Sequence, residues 1–208
     1  MQQSLADQVL TDNEWISSAV ACEAPGDARD GMIEITVSRK GHELICTKGM
    51  REFELRLLER LPDAASHKSH WQFAPVEGGY FSQHEHIRRY DLPPVLSWIK
   101  EDSRHRLLLN VLPHMDCFRG HYPGNPILPG VIQVHWAVGV SMGLFGFASL
   151  PADIKRLKFK NIVQPPRVIE LDLRRSAANL VNFQFSSAGR IHSMGSLAFK
   201  EDELCVSA

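Results

Sequence analysis

The alternation of apolar and polar positions divides the chain into two parts with different predicted structures. In the first part, Met32–Val37 alternates as a strand does, and residues 38–41 are typical of a turn. Apolar residues then recur at helical spacing over residues 48–61, and the proline that follows is expected to end this helix. A short strand is predicted over residues 71–74. These elements predict a small α+β unit.

The second part combines one long apolar run with several alternating segments. The apolar run, residues 131–147, has the length of a buried helix, and residues 106–112 form a first predicted strand. Further strands are predicted over residues 154–162, 168–174, 180–185 and 191–199, with a turn at residues 187–190. One apolar helix packed against an antiparallel sheet buries the apolar face of both. The second part is therefore predicted to be an α+β domain with a central helix.

The join between the two parts is predicted within residues 78–103. Pro93 and Pro94 exclude helix immediately before them, and residues 96–99 are predicted as a short helix. We therefore divide the chain into a small α+β domain, residues 1–100, and a second domain, residues 104–208.

Composition excludes several classes of protein. The net charge of −1 gives no reason to expect a nucleic-acid partner, and no membrane span or signal pattern is found, so a cytoplasmic location is expected. The four cysteines are scattered without paired spacing, which predicts reduced thiols and no zinc site. The histidine pairs at residues 67 and 70 and at residues 84 and 86 lack a third ligand at suitable spacing, so no metal is predicted.

The candidate chemistry lies in residues 119–136, where three prolines and three glycines stiffen a loop ahead of the apolar helix. Pro129 suits the position just before a helix, because its missing N–H costs nothing there. The N–H groups of Gly130 and Val131 would then point out of the helix N-terminus toward a carbonyl oxygen that gains negative charge. His121 lies on the same loop. A base and an oxyanion site in one unit favour proton abstraction next to a carbonyl.

The sequence Gly-His-Tyr-Pro-Gly-Asn-Pro-Ile-Leu-Pro-Gly-Val over residues 120–131 resembles the Gly-His-Phe-Pro-Gly-x-Pro-Φ-Φ-Pro-Gly-Val signature of hotdog-fold 3-hydroxyacyl-[acyl-carrier-protein] dehydratases. Gln133 and Trp136 resemble the branch found in aryl polyene gene clusters. The resemblance covers roughly residues 104–201. It implies a single hotdog fold and dehydration of a 3-hydroxyacyl thioester on an acyl carrier protein to the trans-2-enoyl thioester. It also implies a dimer with the active site between subunits, and no metal or organic cofactor.

The resemblance also implies roles for individual residues. His121 matches the general base and Gly130 the oxyanion donor, and the substrate-binding candidates are Pro123, Gly124, Val131, Gln133 and Trp136. For Trp136, packing in the core is the alternative reading.

At the position where the family carries a catalytic Asp or Glu, fourteen residues past the histidine, this chain has His135. A protonated imidazole could donate to the leaving hydroxyl, and burial of His135 in the apolar helix would lower its pKa. Asp116 and Asp153 are the alternative acids.

Two further features bear on partners. The order of elements in residues 1–100 resembles the C-terminal lid domain of adenylate-forming acyl ligases, but residues 76–85 lack the lysine that contacts the adenylate, so no adenylation is expected. The basic residues Arg156, Lys158 and Lys160 form either a solvated edge or a docking site for the carrier protein. The expected assembly is a homodimer or a heterodimer with another hotdog subunit. A non-catalytic partner subunit and a hotdog acyl thioesterase are the alternative functions.

Overall fold

The computed structural model describes residues 6, 7, 9, 13–22, 32–60, 71–74 and 92–200. The two histidine pairs, the proline at residue 62, residues 76–85 and most of the predicted join lie outside the described residues. No helix among the described residues has both the length and the apolar character needed to span a bilayer.

The first part is a three-stranded sheet with two helices. Strands β1 (Ile16–Cys22) and β2 (Met32–Val37) are antiparallel, and β3 (Trp71–Phe73) is parallel to β2. The strand predictions for β2 and β3 are therefore confirmed. The β1 strand was not predicted.

The helices of this unit differ from the prediction. Helix α1 (Arg39–Lys48) begins where a turn was predicted, because the Ser38 side chain caps it by accepting a hydrogen bond from Gly41 N at 3.1 Å. Helix α2 (Met50–Leu58) is separate, since Gly49 between them has φ of 91°, which breaks helical geometry. The prediction of one helix over residues 48–61 is therefore wrong in its start and end.

The second part is built on a six-stranded antiparallel sheet. Its strands are β4 (Val95–Glu101), β5 (Arg104–Val111), β6 (Asp153–Phe159), β7 (Arg167–Ala177), β8 (Leu180–Ser187) and β9 (Arg190–Ala198), in the order β4-β5-β7-β8-β9-β6. The helix predicted over residues 96–99 is wrong, because this apolar run pairs with β5 as strand β4. Residues 100–104, where the sequence suggested a division, hold the turn of that hairpin.

One long helix packs on one face of this sheet. Helix α3 (Gly130–Phe145) ends at Gly146, whose φ of 73° is the left-handed conformation that commonly terminates helices. Trp136, Ala137 and Val140 are fully buried against the inward side chains of the strands, such as Leu107 and Leu171. This is the hotdog arrangement, as the sequence predicts.

The small unit covers part of the opposite face of the same sheet. Successive side chains of a strand point to opposite faces, so Leu108 of β5 points away from the α3 side. It packs in a second core with Ile35 of β2, Ile45 of α1 and Phe53 of α2. The two parts therefore share an apolar interface through the back of the hotdog sheet.

Candidate functional site

The loop before α3 leads directly to the helix N-terminus. Pro129 is the N-cap residue, and its carbonyl oxygen accepts hydrogen bonds from Ile132 N at 3.1 Å and Gln133 N at 3.3 Å. The N–H groups of Gly130 and Val131 therefore precede the first helical hydrogen bonds. Such groups carry the positive end of the helix dipole and are available to a ligand oxygen.

His121 is held in one orientation by its own loop. Its backbone N–H donates to Phe118 O at 3.2 Å, and its Nδ1 lies 3.0 Å from Ile127 O. A carbonyl oxygen only accepts hydrogen bonds, so Nδ1 carries the proton and Nε2 carries the lone pair of the neutral ring. The Tyr122 ring packs edge-on at 4.8 Å between centroids. His121 is half-buried and oriented as a general base requires.

A cleft of about 440 Å³ joins His121 to the helix N-terminus. Of the predicted site residues, His121, Gly130 and Gln133 line this cleft. The opposite wall was not predicted, and it comes from the end of β6 and the residues after it: Phe159, Lys160, Asn161 and Ile162. The alternating pattern predicted that strand, but no local signal shows which loop it faces.

Phe159 packs directly over the start of α3. A β-carbon added to Gly130 would lie 2.6 Å from Phe159 Cε1, closer than real contacts allow. The loop is fixed to the same segment by a hydrogen bond from Leu128 N to Val163 O at 2.8 Å. Gly130 therefore permits a close approach between the helix N-terminus and an aromatic wall of the cleft.

The predicted substrate-binding residues differ in how far they are exposed to the cleft. Gln133 is buried, and its Oε1 accepts a hydrogen bond from Ser193 Oγ at 2.6 Å. Trp136 is 1% exposed and lies in the core, so the packing reading describes its position. Pro123 and Gly124 are exposed on the loop, outside the lining of the cleft.

His135 is exposed, contrary to the burial expected for it. It lies one helical turn after Val131, which is 73% exposed, so both side chains lie on the same open stripe of α3. Neither lines the cleft. Within one chain, His121 and His135 thus lie on different surfaces of the helix and loop unit.

The alternative acids lie outside the cleft as well. Asp116 is exposed and pairs with Arg119 Nε at 3.0 Å, and Asp153 is exposed with Lys155 Nζ at 3.8 Å. Among the described residues, no Asp or Glu lines the cleft. The described part of the chain therefore supplies no carboxylate at the place where the resembled family uses one.

A second polar cluster lies buried between α1 and the hotdog sheet. The Oε2 atom of Glu170 is 2.9 Å from His42 Nε2, and it accepts hydrogen bonds from Cys46 Sγ at 2.8 Å and Arg106 Nε at 2.9 Å. The other ring nitrogen of His42 is 2.9 Å from Ser97 Oγ. No sequence pattern predicted this cluster, because its members are separated by up to 128 residues.

Burial and charge shift the ionisation of this cluster. Burial raises the pKa of Glu170, but hydrogen bonds from His42 and Cys46 and the charge of Arg106 outweigh burial and lower it to about 2. Burial and the neighbouring Glu170 carboxylate raise the pKa of the Cys46 thiol. At neutral pH Glu170 is therefore an ionised carboxylate beside a protonated thiol.

Three side chains of this cluster also form a candidate metal site among the described residues. One ligand atom each from His42, Cys46 and Glu170 lie within 4.8 Å of one another. Arg106 also contacts the carboxylate and pairs with Glu43 through its other nitrogens. The Arg106 guanidinium already pairs with the Glu170 carboxylate. The cluster therefore acts as a buried ion-paired contact between the small unit and the hotdog sheet.

Comparisons with known proteins agree with the signature loop. Residues 97–196 match the ApeI-like family, described as ApeI dehydratase. The 3-hydroxyacyl-[acyl-carrier-protein] dehydratase FabZ of Haemophilus influenzae (strain PittEE) is 33% identical over 84 residues, which are 36% of this chain and 56% of that protein. FabZ of Novosphingobium aromaticivorans is 41% identical over 63 residues, 26% of this chain and 40% of that protein.

Among solved structures, the dehydratase heterocomplex ApeI:P from Xenorhabdus doucetiae is similar, with 25% identity and a TM-score of 0.48 over 51% of this chain and 96% of that chain. The chain spans about half the length of the curated relatives it matches. The family match contains the signature loop and α3, and it leaves α1 and α2 outside. These matches confirm that residues 97–196 resemble the hotdog dehydratases.

Proposed function

We propose that this protein removes water from a 3-hydroxyacyl thioester on an acyl carrier protein, giving the trans-2-enoyl thioester. The observation that carries the proposal is the His121 ring, fixed through Nδ1 in the same cleft as the start of α3. The match of residues 97–196 to the ApeI-like dehydratase family supports it. The cleft offers a base and a positive helix end to one bound thioester.

The first half of the reaction follows from this geometry. His121 Nε2 takes the proton from the carbon next to the thioester carbonyl, and that carbonyl oxygen gains negative charge. The N–H groups of Gly130 and Val131 at the helix N-terminus donate hydrogen bonds to this oxygen, each contributing about 3 kcal/mol to the stabilisation of the enolate. Both donors are backbone groups, so they are in place before the substrate arrives.

The second half needs a group that protonates the leaving hydroxyl. Breaking the bond between the carbon and that hydroxyl forms the double bond and releases water. His135 is proposed for this role from a second subunit, because its exposed position on α3 faces away from the cleft of its own chain. An imidazolium can donate the proton, and the proton taken by His121 of the first subunit balances the reaction.

The surface of β6 supports a second hotdog subunit as the partner. All seven residues of this edge strand are exposed. The large exposed apolar side chains at this edge and beside it are Ile154, Leu157, Phe159, Ile162 and Val131. An edge strand with apolar side chains is a pairing surface, which isolated soluble chains normally protect. The assembly proposed is a homodimer or a heterodimer through this edge.

Gln133 and Trp136 resemble the aryl polyene branch, and this resemblance supports the proposed pathway. The proposed pathway is therefore aryl polyene-type or fatty acid biosynthesis in the cytoplasm. The small unit that precedes β4 is proposed to be a remnant of a ligase lid domain or a docking domain.

A non-catalytic partner subunit is the second candidate function. The specific observation that favours it is the histidine at position 135, where the resembled family has a carboxylate, together with a cleft lined by no described Asp or Glu. A thioesterase on the same fold would need a carboxylate to activate water, so the cleft favours it less.

Mass spectrometry of the product separates these functions. The purified chain is incubated with 3-hydroxyacyl carrier protein, and the acyl group is followed on and off the carrier. Loss of one water from the carrier-bound acyl group supports the dehydratase, whereas free acid indicates the thioesterase. An untouched substrate at high protein concentration contradicts an independent enzyme and favours the partner subunit.

A further inference from the structure

We infer that a second cleft, formed between the small unit and one end of the hotdog sheet, binds the phosphate group that joins the pantetheine arm to an acyl carrier protein. This inference rests on the proposed function and names where the carrier protein docks. The cleft has a volume of about 550 Å³. Its walls come from the start of α2, from β3, and from the ends of β7 and β8.

Three cations line this cleft without an ion-pair partner among the described residues: Lys48, Arg51 and Arg167. Other cations of the same two parts are paired, as Arg104 is with Asp172 at 2.7 Å and Lys40 with Glu14 at 2.8 Å. Glu54 is the one carboxylate among the described lining residues. The cleft therefore carries an excess of positive charge that suits an anion.

The second cleft adjoins the candidate catalytic cleft through one short segment. Asn161 and Ile162 line the catalytic cleft, and Pro166 and Arg167 line the second cleft. Four residues of extended chain span at most about 14 Å, so the two clefts lie within that distance along the backbone. A flexible pantetheine arm could hold its phosphate in one cleft and present its thioester in the other.

The segment between the clefts is fixed at both sides. Val163 O accepts the hydrogen bond from Leu128 N at 2.8 Å, and Gln164 Nε2 donates to Asn125 Oδ1 at 2.5 Å. The buried His192 connects residues of the two clefts, with Nδ1 3.4 Å from Asn161 O in the first and Nε2 2.7 Å from Ser187 Oγ in the second. The spacing between the two sites is therefore set by hydrogen bonds rather than by a loose loop.

The chemistry of these cations fits a phosphate at the surface of an acidic protein. The guanidinium groups of Arg51 and Arg167 can each give two parallel hydrogen bonds to phosphate oxygens, and Lys48 adds a point charge. The alternative basic surface consists of Arg156 and Lys158 on β6 and Lys160 just after it, and it shares this edge with the apolar side chains proposed to contact the second subunit. Lys48 and Arg51 lie outside residues 97–196, so this site belongs to the added unit.

The test compares carrier-bound substrate with a substrate that lacks the carrier and the phosphate. Steady-state rates are measured on 3-hydroxyacyl carrier protein and on the 3-hydroxyacyl thioester of N-acetylcysteamine. For the triple variant Lys48→Ala, Arg51→Ala and Arg167→Ala, we expect KM for the carrier-bound substrate to rise at least about tenfold, with weaker salt dependence than in the wild type. The rate on the small thioester should stay unchanged.

Arg174→Ala is the matched control. Arg174 is exposed on the same strand as Arg167, seven residues and so about 23 Å further along, away from the cleft. It should leave both substrates unaffected. Equal KM values for the wild type and the triple variant on carrier-bound substrate would overturn the inference.

A binding measurement keeps this test separate from the proposed activity. Fluorescence anisotropy of labelled carrier protein, with and without its phosphopantetheine arm, is titrated with the wild type and the triple variant. Tighter binding of the arm-bearing carrier to the wild type, lost in the triple variant, supports the cleft even if no turnover is found. Identical binding of both carriers to both proteins contradicts it.

Discussion

The Nδ1 atom of His121 lies 3.0 Å from the carbonyl oxygen of Ile127, six residues further along the same loop. The carbonyl can only accept, so this one contact fixes the tautomer of the neutral ring and leaves the lone pair on Nε2. The contact is made inside the loop, so it does not depend on a substrate or a second subunit. The imidazole that we propose as the base is therefore oriented without a substrate or a second subunit.

Replacing Gly130 should test the close approach at the helix start. In Gly130→Ala the new methyl group would meet the Phe159 ring at 2.6 Å, and this half-exposed ring can turn aside into the cleft. We expect a loss of stability within about 1 kcal/mol but a fall in kcat/KM of about tenfold or more.

The double variant Gly130→Ala/Phe159→Ala removes the clash while keeping the backbone N–H at position 130. A double-mutant cycle on kcat/KM should show partial recovery relative to Gly130→Ala alone. Strictly additive losses would mean that the Phe159 ring is not what Gly130 accommodates.

Mixing two inactive variants should restore activity if the site is shared between identical subunits. A mixed dimer of His121→Ala and His135→Ala holds one site with both histidines intact and one site with neither. Random exchange of equal amounts makes half of the dimers mixed, so we expect about one quarter of the wild-type rate. Rates are measured after subunit exchange and compared with each variant alone.

No recovery in that mixture, with dimers confirmed by light scattering, would place the two histidines in one site of a single chain or assign the acid to another subunit. Recovery only after adding a different hotdog protein would indicate the heterodimer.

The buried ion pair between Arg106 and Glu170 should dominate the attachment of the small unit. Arg106→Ala leaves the Glu170 carboxylate buried without its cation, and we expect a loss of about 3 to 5 kcal/mol in the free energy of unfolding. Arg104→Ala is the matched control, since Arg104 pairs with Asp172 on the same two strands but is 40% exposed. Denaturant titration should show a much smaller loss for Arg104→Ala.

The same pair predicts how stability depends on pH. The pKa of Glu170 falls from 4.5 to about 2 on folding, so its contribution is complete above pH 4.5 and is lost as the pH falls toward 2. The predicted loss is about 3 kcal/mol across this window. Glu170→Gln should remove this dependence, as measured by denaturant titration at a series of pH values.

His105 is expected to make the free energy of unfolding depend on pH over a higher pH range. Burial and the charge of Lys100 lower the pKa of His105 from 6.5 to about 4, so its contribution is complete above pH 6.5 and falls as the pH drops to about 4. His105→Gln should reduce the pH dependence of stability only between about pH 4 and pH 6.5. A pH profile that is unchanged in both variants would contradict these assignments.

The hotdog half of the fold was predictable because its pattern is strong and local. The apolar run that became α3 and the alternation that became β7, β8 and β9 each point to one structure. The prediction of a helix over residues 96–99 was wrong because a short apolar run is equally compatible with a helix and a buried strand. Pairing with β5 makes this run a strand. The prediction of a turn over residues 38–41 was wrong because a serine that caps a helix is also common in turns, and here Ser38 caps α1.

The candidate site was predictable only where one loop contains it. His121 and Gly130 lie nine residues apart, and the signature brings them into one cleft. Phe159 reaches that cleft from another strand, and the contact between His42 and Glu170 spans 128 residues, so no local pattern reports either. The exposure of His135 depends on which face of α3 meets the sheet, which periodicity leaves open because apolar residues surround it.

The most direct measurement of the central claim is the loss of water from 3-hydroxyacyl carrier protein with wild type and His121→Asn, followed by mass spectrometry at neutral pH. Asparagine can keep a hydrogen bond to Ile127 O but offers no base, so the fold should persist while the rate falls about 10² to 10⁴-fold. His114→Asn, an exposed histidine outside the cleft, should match the wild type. Equal dehydration rates for wild type and His121→Asn would contradict the account.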